Sequence, residues 1–408
     1  MGRRTTERFA AAALAVALGA TPLAHAEATQ QPAREIPTPS PQEIEREQPE
    51  KVREAKRILV PKKKAAEEPK EPEKNEGAGR VIVPVVMYSP ETHLGAGGLV
   101  VQFFRVGNAP KESRVSSVAF DALVTTRKQI IVEIIPDLYW DDEKNHVGGK
   151  LEFQRFPDSF WGIGPRTPDS AEERYLRQRF RFRGAANRRL YKRLYVGLYT
   201  ELTLFDGTYS DPNGLFARTD VPGERGGFTA GLGPSWSIDT RDNTVATRSG
   251  TLLAFTWLGY DRGLGSRYEF WRAVTEARQF FPVGTDSALG LRYYGEFQGG
   301  FVPFYQNAML GGDELLRGYF MGRYRDKDLL ALEAEYRFPI YWRFGGVTFA
   351  GAGEVADHAK DLASVPVRWA VGGGLRLSLN TEERLNLRLD AGFGPDTYGI
   401  YFTAREAF

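Results

Sequence analysis

The stretch RLNLRLDAG (384–392) sets Leu385, Leu387, Leu389 and Ala391 on one face and Arg384, Asn386, Arg388 and Asp390 on the other. LLALEAEYRF (329–338) repeats the pattern, with Leu330, Leu332, Ala334, Tyr336 and Phe338 opposite Ala331, Glu333, Glu335 and Arg337. VRWAVGGGLRLSL (367–379) adds Val367, Trp369, Val371, Leu375 and Leu377. A side-chain period of two belongs to a strand with unlike faces, and a helix does not produce it. Sixteen segments carry this signal: 80–89, 94–106, 114–125, 129–140, 146–156, 175–189, 194–206, 226–239, 250–261, 267–281, 287–299, 328–338, 345–355, 366–379, 384–392 and 398–408.

No run of 18 apolar residues occurs after Arg80, so no helix is expected to cross a membrane. The connections differ in length instead. TRK, RLYKR, PVGTDS, PIYWR and NTEER read as short turns on one side, and 157–174, 207–225 and 300–327 as long loops mostly on the other. An even number of strands of about ten residues, with short turns and long loops, predicts a 16-stranded antiparallel transmembrane β-barrel in an all-β chain. A soluble sandwich would also alternate, but it gives no reason for aromatics at strand ends, such as Tyr139–Trp140, Phe280–Phe281, Tyr341–Trp342, Tyr398 and Phe402. Interfacial girdles do. The alternating end of the chain, Tyr398, Ile400, Phe402 and Phe408, fits the sorting signal of such barrels, with Glu406 standing where an aromatic is usual.

The first 26 residues read as a secretory signal peptide: a basic MGRRTTER, an apolar FAAAALAVALGATPL, and Ala24–His25–Ala26 before cleavage at Glu27. Residues 27–79 are rich in Glu, Lys and Pro and hold too few apolar groups to offset ordering entropy. They are expected to be a disordered periplasmic linker ahead of the barrel domain, 80–408. The bacterial outer membrane is the expected location, with the linker and the C-terminus in the periplasm. The chain has no cysteine, which removes disulfides, thiolate metal sites, cysteine nucleophiles and a lipoprotein anchor. Its 54 basic and 52 acidic residues nearly balance, so nucleic acid is not an expected partner.

On the sixth segment Arg177, Arg179, Arg181 and Arg183 alternate with Gln178, Phe180 and Phe182. Lys150, Glu152, Glu201, Arg292 and Glu296 extend this charged face, which suits a lumen wide enough for water unless something fills it. The stretch MLGGDELLRGYFMGRYRDKD (309–328) has no regular period and lies in the sixth long-side connection. Its Arg317–Gly318–Tyr319, in that place, resembles the signature of the BamA/TamA superfamily of outer-membrane assembly and secretion barrels, also called the bacterial surface antigen domain. The resemblance covers nearly all of 80–408. SIDTRDNTVATRSG (237–250) is similar to the family's Asp-x-Arg-Asp-Asn turn through Asp239, Arg241 and Asp242, and EAEYRFPI to its twelfth strand. VTFAGAGEV is similar to the thirteenth, but Gly351 stands where the family has an aspartate.

The resemblance implies that the loop enters the lumen. There a desolvated Arg317 needs a carboxylate, and inward-facing Glu333 and Glu335 are the expected partners. Gly318 permits close backbone approach, and Tyr319 packs on the wall. A solvated surface loop is the opposing reading. Family members insert other barrels, secrete polypeptides or act as channels, usually through periplasmic POTRA modules that this sequence does not display. The expected role is outer-membrane protein insertion or polypeptide translocation, with membrane lipids, unfolded or secreted client proteins and a separate periplasmic component as partners. A passive channel or structural barrel is the alternative. An outer-membrane enzyme is a remote one, since mature histidines are limited to His93, His146 and His358 and no Gly-x-Ser-x-Gly elbow occurs. No enzyme activity, cofactor or metal is expected.

Overall fold

Backbone N–H and C=O groups in lipid find partners only inside a helix or a closed sheet, so alternating segments of this length must pair in order and close on themselves. The computed structural model describes residues 79–107, 114–380, 384–404 and 406–408. The expected signal peptide, and all of the expected linker before Gly79, lie outside the described residues. The strands are β1 (Gly79–Ser89), β2 (His93–Phe104), β3 (Ser116–Thr125), β4 (Ile130–Trp140), β5 (Asn145–Phe160), β6 (Glu173–Tyr191), β7 (Leu194–Tyr209), β8 (Gly227–Asp239) and β9 (Gly250–Tyr260). They continue with β10 (Phe270–Val283), β11 (Ser287–Gly300), β12 (Ala308–Leu310), β13 (Tyr324–Asp326), β14 (Asp328–Tyr341), β15 (Phe344–Ala356), β16 (Arg368–Asn380), β17 (Leu385–Gly394) and β18 (Thr397–Ala404). β12 and β13 form a small separate ribbon, and the other sixteen make one closed antiparallel barrel.

Alternation assigns the two faces of the wall. On β6, Phe180 is exposed to the outside while Arg177 and Arg179 are buried inside. The lumen is filled by ion pairs: Arg179 with Glu152 at 2.7 Å, Arg177 with Asp158 at 2.9 Å, Arg272 with Glu296 at 3.1 Å and with Glu201 at 3.2 Å, and Arg292 with Glu276 at 2.8 Å. In the long-loop half an aromatic cluster of Phe160, Tyr175, Phe205, Phe216, Phe304 and Tyr305 replaces the charges. Phe205 and Tyr305 stack there at 4.0 Å.

Three expectations need correction. The TRK turn (126–128) joins β3 to β4 and therefore lies on the long-loop rim, where Thr126 N donates to Leu94 O at 2.8 Å. Strand parity, not turn length, decides the rim. Not every strand-end aromatic joins a girdle: Phe281, Tyr341, Trp342 and Tyr398 face outward, but Phe280 is buried in the lumen and Tyr139 stacks on His146 at 4.3 Å. Consecutive residues of a strand point to opposite faces, so an adjacent aromatic pair places one ring inside. The last strand ends at Ala404, not Phe408. Tyr398 and Ile400 are exposed on its outer face, whereas Phe408 leaves the strand and is buried against Phe280, with ring centroids 6.1 Å apart.

β1 pairs with β2 along its whole length, from Gly79 opposite Phe103 to Ser89 opposite His93. Its other edge meets β18 at a single registered pair, Tyr88 opposite Phe402. Among the described residues that seam is the one interface of the barrel without an extended ladder.

Candidate functional site

The loop between β11 and β14 folds into the lumen. The β12–β13 ribbon forms its stem, with Ala308 opposite Asp326 and Leu310 opposite Tyr324. Gly312 N to Tyr319 O and Gly322 N to Leu310 O, both 2.9 Å, hold its tip in shape. Leu310, Leu316 and Tyr319 bury against Leu329 and Ala331 of β14, Val355 of β15 and Ala370 of β16. This apolar packing brings Arg317 to the centre of the wall, 1% exposed.

Arg317 donates from Nη1 to Asp390 of β17 at 2.6 Å and from Nη2 to Glu335 of β14. Its guanidinium lies over the Phe349 ring, 3.6 Å from the centroid. Burial alone would lower the arginine's pKa, but the two carboxylates raise it above the ordinary value, so the charge is fixed. Both carboxylates are shared with the wall. Glu335 also takes Arg337 at 2.6 Å, and Asp390 takes Arg376 at 2.5 Å. Arg376 in turn donates to Glu406 at 2.7 Å, so the network runs from the loop tip to the tail beyond β18. Removing one member of such a buried set strands a charge, at a cost of about 3–5 kcal/mol.

Glu333 does not pair with Arg317. Its carboxylate accepts from Leu316 N at 2.8 Å and from Arg292 at 3.4 Å, holding the backbone next to the arginine. Gly351 supplies no carboxylate, and a side chain there would crowd Glu333 and Leu316, 3.0 and 3.1 Å from its Cβ. The second carboxylate on Arg317 comes from Asp390, two strands further round the wall. The alternation had put Asp390 on the polar face of its strand, but nothing in the sequence brings that strand to Arg317.

Gly318 adopts φ +122°, and a Cβ there would lie 3.0 Å from the Gly392 backbone. Its N–H donates to the Tyr401 hydroxyl at 3.0 Å, and Tyr319 OH donates to Trp369 O at 3.2 Å. At the opposite rim Asp239 takes Arg241 through both oxygens at 3.0 Å. Asp242 takes Arg248 N at 2.9 Å, Ser249 N at 3.1 Å and Arg384 at 2.5 Å. This braced turn tucks Thr247 inward, where its carbonyl accepts from Arg337 at 3.2 Å, next to the Phe408 carbonyl that Arg337 also bonds at 2.6 Å. The two sequence motifs thus sit at opposite ends of one charged column.

Of the remaining candidates, His146 pairs with Asp137 at 2.7 Å inside the barrel, and His358 faces Asp357 at 3.2 Å on the long-loop rim. Asp357 is held by Lys327 at 2.6 Å. Among the described residues no group of three or more His, Cys, Asp or Glu is placed to hold a metal ion.

Residues 127–408 match the family model described as the Omp85 superfamily domain. Solved structures with the same fold include BamA from Haemophilus ducreyi lacking POTRA domains 1-3, at 13% identity and a TM-score of 0.53, covering 80% of this chain and 70% of that one. CdiB from Acinetobacter baumannii matches at 12% identity and TM-score 0.53, covering 80% of this chain and 59% of that one. CdiB from Escherichia coli matches at 11% and 0.55, covering 79% and 62%. This chain therefore spans less than two thirds of the length of either CdiB chain. No curated protein matches it.

Proposed function

The chain belongs to the Omp85 superfamily, and from that premise we propose that this bacterial outer-membrane barrel inserts membrane proteins, or passes polypeptides, through its β1–β18 seam. One observation carries the reading. Every other interface of the barrel is a ladder, while among the described residues β1 and β18 register only at Tyr88 and Phe402. Among the described residues no registered pair joins Gly79–Met87 to β18, and such an edge is a template for an incoming strand, whose backbone groups would pair there as they leave water. The lumen argues against a passive channel, because Arg317, the aromatic cluster and the Phe408 tail occupy it from both ends. In the membrane the long-loop rim would face outward and the short-turn rim, with the N- and C-terminal ends of the barrel, the periplasm. Client proteins, and a periplasmic component that delivers them, would be the partners.

The test uses the absence of native cysteine. Tyr88→Cys with Phe402→Cys places thiols on registered partners, within reach of a disulfide. In liposomes the reduced protein is expected to speed insertion of an unfolded outer-membrane protein relative to an ordinary porin. Oxidation should abolish the gain and reduction restore it. Acceleration that survives oxidation would remove the seam from the mechanism.

A further inference from the structure

We propose that the loop 301–327 is a clasp across the β1–β18 seam, with Glu91 as its catch: the loop must release Glu91 or β18 before the two strands part. The hydrogen bonds of one short tip run to both sides. Towards β18, Gly318 N donates to Tyr401 Oη at 3.0 Å, Tyr401 OH donates to Tyr319 O at 3.3 Å, and Thr397 Oγ1 donates to Gly318 O at 2.8 Å. Towards β1, Met321 N donates to Glu91 Oε1 at 2.7 Å. Glu91 lies in the three-residue connection from β1 to β2, and its carbonyl accepts from Gln129 Nε2 at 2.8 Å, which ties it to the β3–β4 turn. Among the described residues the strands themselves contribute one registered pair, so the hydrogen bonds of the loop add a second connection between the two edges.

Glu91 is a costly residue to keep for any other reason. It is buried, 7% exposed, and its partners are hydrogen-bond donors rather than cations. A buried carboxylate held by neutral donors is costly to desolvate, and burial pushes its pKa above the ordinary value. What it provides is an acceptor aimed at the loop. The clasp also gives the Arg317 clamp a consequence at a distance. Arg317 anchors the tip to β14 and β17, so Gly318 and Met321 are presented to the seam from a fixed base. A further anchor of the loop, Arg323 to Asp169 at 2.5 Å and to Thr167 Oγ1 at 2.8 Å, leads away from the seam to the β5–β6 connection.

This inference rests on the lateral-opening reading, so the experiment measures seam opening without any client. Hydrogen exchange of the full chain in lipid discs, followed over 79–89 and 397–404, reports the opening equilibrium of the two edges. Glu91→Leu and, separately, Tyr401→Phe are expected to speed exchange of both segments by about fivefold or more, as the loss of one buried hydrogen bond in the first and two in the second implies. Glu91→Gln keeps an acceptor for Met321 N–H and should stay within about twofold of the parent. Asp169→Asn loosens the loop on its far side and should leave both segments unchanged. Adding the oxidised Tyr88→Cys and Phe402→Cys pair to Glu91→Leu should return exchange to the parent rate. The proposal is overturned if Glu91→Leu and Tyr401→Phe exchange like the parent, if Asp169→Asn matches them, or if the acceleration persists with the seam locked. Should Glu91→Leu not fold, Tyr401→Phe against Glu91→Gln decides alone. A seam that opens as described in a barrel that fails to insert clients would leave the clasp standing and remove only the insertion reading.

Discussion

Arg317 and Asp390 meet at 2.6 Å although they lie on a loop tip and on β17, and the same guanidinium reaches Glu335 on β14, three strands away round the wall. The loop is therefore a strut across the lumen, not a lining of one strand. Asp390→Asn, Glu335→Gln and Arg317→Ala are each expected to cost about 3–5 kcal/mol, because each leaves an uncompensated buried charge. In pairs with Arg317→Ala the losses should fall short of additivity by about 1–3 kcal/mol. Urea titration followed by heat-modifiable gel mobility checks this, and strictly additive losses would break the pairing.

Gly351 leaves β15 without a carboxylate at the loop tip, and Asp390 of β17 supplies the second one. Placing a carboxylate at 351 should not help. Gly351→Asp forces a side chain to within 3.0 Å of Glu333 Cγ and 3.1 Å of Leu316 Cδ1, so an overpacking cost of about 1–3 kcal/mol is expected. Combined with Asp390→Asn, it should remain less stable than the parent in the same titration.

Phe408 fills a socket made by Phe280, with the Arg292 and Arg337 guanidinium groups 5.7 and 5.8 Å from its ring centroid. Phe408→Ala is expected to destabilise the barrel by on the order of 3 kcal/mol, while Phe408→Leu should cost about 1 kcal/mol. Equal, negligible losses in urea would mean that the tail contributes nothing to the closed short-turn rim.

What was readable in the sequence follows from the range of each interaction. Strand alternation is local, so the sixteen wall segments and the inward face of Arg177, Glu152 and Glu335 could be read directly. The lodging of the loop inside the barrel came from Arg317–Gly318–Tyr319 in its sequence position. Asp390 and Tyr401 could not be assigned to that motif, because alternation gives a residue its face and leaves its height against another strand open. Phe408 misled for a related reason. A period of two was extended through the end of the chain, but β18 ends at Ala404, and Glu406 and Phe408 are held by Arg376 and Arg337. The solitary acid of that tail, Glu406, is odd only as a lipid-facing residue; bonded to Arg376 and Asn386 it is an anchor.

Asp326 in the loop stem is buried, and that burial pushes its pKa up to about 6. A carboxyl that holds its proton more tightly in the docked loop than in the open chain stabilises docking at acid pH. That contribution is lost as pH rises from the ordinary carboxylate range through 6. Asp326→Asn keeps an acceptor for Lys327 N, bonded at 2.9 Å, without the titrating charge. The variant should melt near the parent at pH 4.5 and above it at pH 8. Identical pH profiles for the two proteins would rule Asp326 out as the titrating group.

Conductance separates an occupied lumen from an open one. With ion pairs across the mid-lumen, the loop docked by Arg317 and the rim braced by Arg384 on Asp242 and by Phe408, the resting barrel should pass little current in a planar bilayer for its strand number. Arg317→Ala removes the ion pairs that the loop tip makes with Glu335 and Asp390 and keeps the wall strands themselves, so it should raise both the open probability and the mean conductance severalfold. A parent protein that already conducts like an open sixteen-stranded pore, with no increase in the variant, would favour the passive-channel reading. A silent parent with a conducting variant would instead place the barrier at the loop, where the same anchor also governs access to the seam.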